Sequence, residues 1–323
     1  MQLKRLKAFH TIAQLKSFSD AIAVTELSQP TLSRLVKQLE EEIGVELIDR
    51  YHRPLQLTPA GLFFYGKVDA ILKELDSTIT LTQKMAHPPD TLNIGFVPSV
   101  LYGLLPTIIS KTKQRLPNLD VHLKDISSFK QVNALKAGEI DVGFGRFAHY
   151  DASIKQLLLR HERYVAALPN THPLINSVDI HLSELQDYRV ILYHQTHLPA
   201  SNIKSMNSQS INNENFDSPA LIGEPLLHLF AKQSAWPHQT TTVSDVQVAL
   251  GLVAAGEGIT LVPDSLKSVR TEQIIYRKLV HEDATSPIYL CALNNPIHPA
   301  FDILLEVIYE IYEDRGITYR RSS

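Results

Sequence analysis

Three groups of side chains in this sequence have the types and spacing to do chemistry. The first is Ser28, Gln29, Pro30, Thr31, Ser33, Arg34 and Lys37, within SQPTLSRLVK. Stepping about 100° per residue from Leu32 puts Pro30, Ser33, Arg34 and Lys37 opposite the apolar stripe Leu32, Leu35, Val36, Leu39 and Ile43. Hydroxyl and cationic donors on the first turns of a helix are what bases and phosphates accept from. The second group is Ser99 with Pro98, Ser127 with Ser128, and Arg146, which follow the strand-like runs LNIGFV, VHLKDI and IDVGFG. In doubly wound sheets ligands sit beyond the carboxyl ends of strands, and two hydroxyl-bearing helix starts with a guanidinium suit a carboxylate. Taken singly, the serines serve equally as plain N-caps. The third group holds patterns that stay incomplete. SSFK at 127–130 has Ser-x-x-Lys spacing without partner motifs, His194 and His197 lack further metal ligands, and Gly143 and Gly145 do not complete GxGxxG. No catalytic residue, metal or cofactor is expected.

The elements that must position these groups follow from periodicity. Leu3, Leu6, Phe9, Ile12 and Ala13 predict a first helix, and residues 17–43 predict two more joined by a tight connection. Ser28 stands at the N-cap of the last, with Pro30 in its first turn. Residues 44–58, with Arg50, His52 and Arg53 around Tyr51 and Pro54, read as a hairpin wing whose arginines reach phosphates or the minor groove, or as a solvated charged loop. One long helix is expected from Pro59 to about Ala86, before the His87-Pro88-Pro89 stop. Along it Tyr65, Val68, Leu72, Leu75 and Ile79 form a seam that needs a partner: the same helix of a second subunit, or the chain's own core. The first partner would bring two groove-reading helices to one duplex, at an imperfect palindrome.

Beyond residue 90 strands and helices alternate, which argues for sheets with helices on both faces. A second unit begins near YVAALP and runs through DYRVILY and TTVSDVQVALGLVAAGEGITLVP. The chain then returns to the first sheet through IIYRKL and SPIYLCAL and closes with a helix from Pro299 to Tyr312. Residues 200–217, rich in Asn and Ser, are read as a surface insertion or a flap beside the cleft.

Composition bounds the function. A chain of 323 residues, 44% hydrophobic and 20% charged, can build two or three cores. A net charge of -3 does not exclude nucleic acid, because the acids of residues 1–60 cluster at 40–49 and leave the helix and wing segments basic. The single Cys291 excludes an internal disulfide, fits a reducing cytoplasm and reads as a buried core residue. Met1 leads into a polar-studded helix rather than a signal peptide, and Gly95, Pro98, Gly103 and Pro106 break the uncharged run 91–110. A cytoplasmic chain without a membrane span is expected.

From Leu3 to Gly61 the sequence resembles the winged helix-turn-helix domain of LysR-type transcriptional regulators. The match is carried by Phe9, Ser17 to Ser19, Ala21, Ser28-Gln29-Pro30, Leu32-Ser33-Arg34, Leu39-Glu40, Gly44, Leu47, Arg50, Arg53 and Leu57-Thr58-Pro59-Ala60-Gly61. Ile22, Thr25 and Ile48 depart from the family pattern, and the added branch and hydroxyl carry an expected packing cost of about 1 kcal/mol each. The later runs SVLYGLLPTII, QVNALKAGEIDVGFGR and VQVALGLVAAGEGI resemble the benzoate- and muconate-responsive branch, which controls degradation of aromatic compounds.

The resemblance implies an N-terminal all-α winged helix-turn-helix domain (1–58), a linker and dimerisation helix (59–89) and a C-terminal α/β effector domain (90–323). That last domain would be two-lobed like periplasmic binding proteins, with lobe I about 90–162 and 269–323 and lobe II about 163–268. It implies DNA contacts from Ser28, Gln29, Pro30, Thr31, Ser33, Arg34, Lys37, Arg50 and Arg53. It also implies effector contacts from Pro98, Ser99, Leu104, Ser128 and Arg146, with Arg160 at a second aromatic-acid site, while Pro199 and Ser201 do not transfer. The implied partners are double-stranded promoter DNA, a small acid effector, and further copies of the chain as a dimer or tetramer; RNA polymerase is a further candidate. Regulation by a non-aromatic ligand or none, and a solute-binding protein with a helical assembly domain, stand as alternatives.

Overall fold

Leu6, Phe9, Ile12 and Ala13 recur at helical intervals and form the buried face of α1 (Leu3–Leu15). The computed structural model describes residues 2–49, 55–149, 151–193, 225–280 and 284–319. Helix α2 (Phe18–Thr25) starts at Ser17, whose hydroxyl accepts from the Asp20 N–H at 3.2 Å, and stops at Glu26, where a φ of 57° turns the chain. Helix α3 (Gln29–Ile43) then buries Leu32, Leu35, Val36 and Leu39, with Ile43 partly covered. The expected cost of Thr25 is offset locally, because its hydroxyl donates to the Ala21 carbonyl at 2.6 Å. Ile22 packs at the edge of the same core and Ile48 lies inside it.

A short hairpin follows, β1 (Ile48–Asp49) against β2 (Gln56–Leu57), and its tip, with Arg50, His52 and Arg53, lies outside the described residues. Helix α4 (Pro59–Ala86) begins hard against this wing. A Cβ on Gly61 would sit 1.9 Å from the Leu47 carbonyl oxygen, so only glycine allows the approach. The seam expected on α4 divides along its length. Val68 and Leu72 are buried in the core of the N-terminal unit and Tyr65 packs at its edge, where its ring stacks on His10 at 5.1 Å. The first turns of the seam are thus covered by α1 of the same chain, while Ile79 on the same face is exposed. Residues Met1–Ala86 form one compact unit and His87–Ser323 another.

The second unit is built on β3 (Thr91–Phe96), α5 (Pro98–Leu101), α6 (Leu105–Arg115), β4 (Asp120–Asp125), α7 (Ser128–Lys136), β5 (Val142–Gly145) and β6 (Ile154–Pro169). It continues through β7 (Asp179–Ile180), α8 (Leu182–Leu185), β8 (Arg189–Tyr193), α9 (Pro225–Lys232), β9 (Gln239–Val243), α10 (Val246–Ala254), β10 (Thr260–Pro263), β11 (Ile274–Leu279), β12 (Thr285–Leu293) and α11 (Ala300–Asp314). Strands β4, β3 and β5 are parallel, and β12 joins them antiparallel to β5. The long β6 is the shared spine: residues 154–163 pair with β12, and 164–169 pair with β10 and β11. The expected return to the first sheet through IIYRKL is corrected, because β11 pairs with β6 and β7 and places Ile274 and Leu279 in the second lobe's cores. Only β12 crosses back, so the second lobe extends beyond residue 268. Helix α11 closes the first lobe with Leu304, Val307, Ile308 and Tyr312. Cys291 is buried in β12, and burial pushes its thiol up to about 11, which suits a packing role. Residues 194–224, including the expected 200–217 insertion, His194, His197, Pro199 and Ser201, lie outside the described residues. Among those described, no helix is long and apolar enough to cross a membrane.

Candidate functional site

The N-terminal unit presents α3 with its polar face outward. Ser28, Gln29, Pro30, Arg34 and Lys37 are exposed, and Thr31 and Ser33 are half-buried. Ser28 caps by position only: its hydroxyl bonds the Thr31 hydroxyl at 2.9 Å, and no backbone N–H of the first turn is taken. A helix start that leaves backbone N–H groups uncapped, with the positive end of the helix dipole and an exposed Arg34 on the same helix, favours phosphate. Lys37 lies 3.8 Å from Glu41, an exposed pair that is weak in water. Glu40, one of the acids clustered at 40–49, is buried, and its Oε1 accepts from the Leu47 and Ile48 N–H groups at 2.9 and 3.1 Å. This carboxylate fixes the wing to the end of α3. The α3 spacing alone gives no sign of it, because Leu47 and Ile48 lie in the next element.

The cleft of the second unit gathers Pro98 and Ser99 of α5, Ser128 of α7 and Arg146 at the end of β5 around a cavity of about 860 Å³, counting its open mouth. Its lining mixes hydroxyls and one guanidinium with aromatic and apolar side chains, as sites for small organic ligands do. Two glycines let these elements converge. A Cβ on Gly145 would lie 2.9 Å from the Ser128 hydroxyl, and one on Gly143 would lie 2.6 Å from the Gln131 amide oxygen. Their role is close packing of α7 on β5. Arg146 holds the site together: its Nε donates to the Ser99 hydroxyl at 2.7 Å, Nη1 to the Ser286 hydroxyl at 2.9 Å and Nη2 to Glu162 at 2.8 Å. The Arg146 backbone N–H donates to the Ser128 hydroxyl at 3.0 Å. A hydroxyl that accepts such a bond keeps its own O–H to donate, so Ser99 and Ser128 can both donate to a carboxylate in the cavity they line.

The expectation of a guanidinium open to a ligand is therefore modified. Arg146 is already paired with Glu162, in side chains 10% and 5% exposed. Burial opposes ionisation of Glu162, but the charges of Arg146 and Arg160 and the bonds from Arg146 and Ser265 hold its carboxyl below the usual range. Arg160, 3.7 Å from Glu162, leaves two cations around one anion, a net positive charge behind the serines. Arg160 and Leu104 do not line the cavity. Arg160 lies near Gly103 and Ser265, and Leu104 packs on the first-lobe core. Sequence reasoning missed Glu162, Tyr164 and Ser286. The signal was the alternation in RHERY, which puts Arg160, Glu162 and Tyr164 on one face of β6, with Ser286 of β12 directly opposite Glu162.

Residues 3–62 match the bacterial regulatory helix-turn-helix protein, lysR family, and residues 86–210 and 215–311 match the LysR substrate binding domain. The chain belongs to the LysR family. It is a DNA-binding transcriptional regulator with an effector-binding domain, not an enzyme, so the SSFK pattern at 127–130 is a chance match. Among LysR-type relatives, the HTH-type transcriptional regulator BenM of Acinetobacter baylyi is 37% identical over 320 residues, 98% of each chain. CatR of Pseudomonas putida is 33% identical over 309 residues, 95% of this chain and 98% of that one. The solved BenM effector binding domain with its effector benzoate aligns with TM-score 0.60 at 35% identity, over 72% of this chain and 98% of that one. The fold of this LysR member is the expected winged helix-turn-helix joined to a two-lobed α/β domain.

Proposed function

We propose that this regulator binds a promoter dyad through α3 and the wing, and responds to a small carboxylic acid, aromatic or muconate-like, held between the lobes of its effector domain. The observation that carries the reading is the Ser99–Arg146–Ser128 constellation, with hydroxyl donors lining a cleft in front of a net cationic cluster. Similarity to BenM, whose effector domain was solved with benzoate, supports the acid class. Ser28, Gln29, Pro30, Thr31, Ser33, Arg34 and Lys37 supply groove contacts, and Arg50 and Arg53 supply backbone or minor-groove contacts. Pro98, Ser99, Ser128 and Arg146 serve the effector in the cleft, and Arg160, off its lining, serves a second acid site. The chain works as a homodimer joined through α4, and as a dimer of such dimers, with RNA polymerase as a further partner. Leu62, Phe63 and Ile71 of α4, exposed beside the face that α1 covers, are open to a second copy. An acid that binds one arrangement of the lobes better by a few kcal/mol would shift the assembly toward it.

Thermal shift of the full chain with benzoate, muconate and amino acids tests the reading, with Arg146→Ala as control. Stabilisation by an acid that the mutant loses is expected; equal stabilisation of both proteins would reject the cleft. One observation favours a second reading, a regulator that needs no ligand: Glu162 already neutralises Arg146 from within. Absence of any shift would favour that reading.

A further inference from the structure

Among the described residues that line the cleft, two carry charge, and they stand on different lobes: Arg146 at the end of β5 and Asp245 at the N-cap of α10. The Asp245 carboxylate accepts from the Gln247 and Val248 N–H groups at 2.8 and 3.0 Å through Oδ1, and from the Ser244 hydroxyl at 3.1 Å through Oδ2. An ionised carboxylate offers about four acceptor positions, so among the described residues these three bonds leave one unfilled. The charge is felt across this wall. Desolvation, and then the Asp245 charge, hold the Asp125 carboxyl at the end of β4 above its usual range. The same lining carries Phe129, next to Ser128, and Phe147, next to Arg146, whose rings stack at 4.9 Å with 27° between their planes.

The cavity lining is therefore bipolar, with donors and a pair of aromatic rings on one lobe and an acceptor on the other. We propose that it selects a ring-bearing monocarboxylic acid with a hydroxyl or amino donor remote from its carboxylate, and that Asp245 excludes a second carboxylate. This inference rests on the reading of the cleft as an acid receptor. It narrows the acid to one chemical class. The carboxylate would take the Ser99 and Ser128 hydroxyls, the ring would lie along Phe129 and Phe147, and the remote donor would fill the open position on Asp245. A dicarboxylate would set its second charge against Asp245 with no other described cation on the lining to offset it.

Calorimetric titration of the full chain with benzoate, 3- and 4-hydroxybenzoate, terephthalate and cis,cis-muconate tests the assignment. Wild type should bind one hydroxybenzoate about tenfold or more tightly than benzoate, and the dicarboxylates most weakly. Asp245→Asn keeps an N-capping side chain while removing the charge, and should raise dicarboxylate affinity about tenfold and shrink the hydroxyl preference. Asp245→Ser, a second capping substitution, should do the same. If wild type prefers a dicarboxylate, or both variants keep its ranking, the inference is overturned while the acid-receptor reading stands. If wild type binds none of the acids, or Arg146→Ala binds them as well as wild type does, the underlying reading fails and takes this inference with it.

Discussion

The two units put their polar chemistry in opposite places. In the N-terminal unit the described groups proposed to meet DNA stand on or at the start of α3, and each is at most a few residues from the next. In the effector unit the working groups are buried and bonded to one another across the sheet: Arg146 reaches Ser99, Glu162 and Ser286, which come from three other elements. Exposed donors cost little to hold, because water satisfies them. Buried charges must be satisfied within the protein, so a ligand there has to work through a network that is already closed.

This contrast can be broken most forcibly at Glu162. Replacing it with Ala strands two buried guanidinium groups and should destabilise the effector unit by about 3–5 kcal/mol in urea unfolding. Loss of less than about 1 kcal/mol, the range of surface pairs, would mean that the cluster is solvated and the contrast false. Glu40 is the exception within the N-terminal unit, a buried carboxylate with backbone partners. Glu40→Ala should cost that unit about 1–3 kcal/mol by leaving the Leu47 and Ile48 N–H groups unpaired, whereas Glu40→Gln, which keeps an acceptor oxygen, should cost less. Equal effects would show that the carboxylate only fills space.

The smallest effect sharpens the comparison through pH. Burial against Phe129 holds the His149 imidazole below its ordinary pKa, which outweighs the opposing pull of the Ser128 backbone bond and the Asp151 charge. The unfolded chain then takes up protons before the fold does. Stability from this group is complete above the unfolded value near 6.5 and declines as pH falls through the lower folded value. The effector-unit Tm should drop between pH 7 and 5, and less so in His149→Gln. His172, lowered by burial in the same unit, adds to the slope in both proteins. An unchanged slope in the variant would remove His149 from the account.

How much the sequence disclosed follows the same division. The α3 stripe, its outward donors and the bounds of α4 were legible because one helix supplies its own frame of reference. The split use of α4 was not. Val68, Leu72 and Ile79 share a face, and nothing local says that α1 covers the first two and leaves the third exposed. In the effector unit the strand ends at Ser99, Ser128 and Arg146 could be read, since each follows an apolar run. Their bonding to Glu162 and Ser286 depends on strand register across β6 and β12, and the place of β11 was not legible because nothing in IIYRKL marks which strand lies beside it.

The central claim is that α3 reads a duplex and that the state of the cleft alters how it does so. Footprinting of the full chain on the DNA flanking its own gene, with and without a stabilising acid, measures both parts in one experiment. The account predicts a two-fold-symmetric footprint whose extent changes with the acid, and which Arg34→Ala weakens by about 1–3 kcal/mol. A footprint of unchanged strength in Arg34→Ala would contradict it.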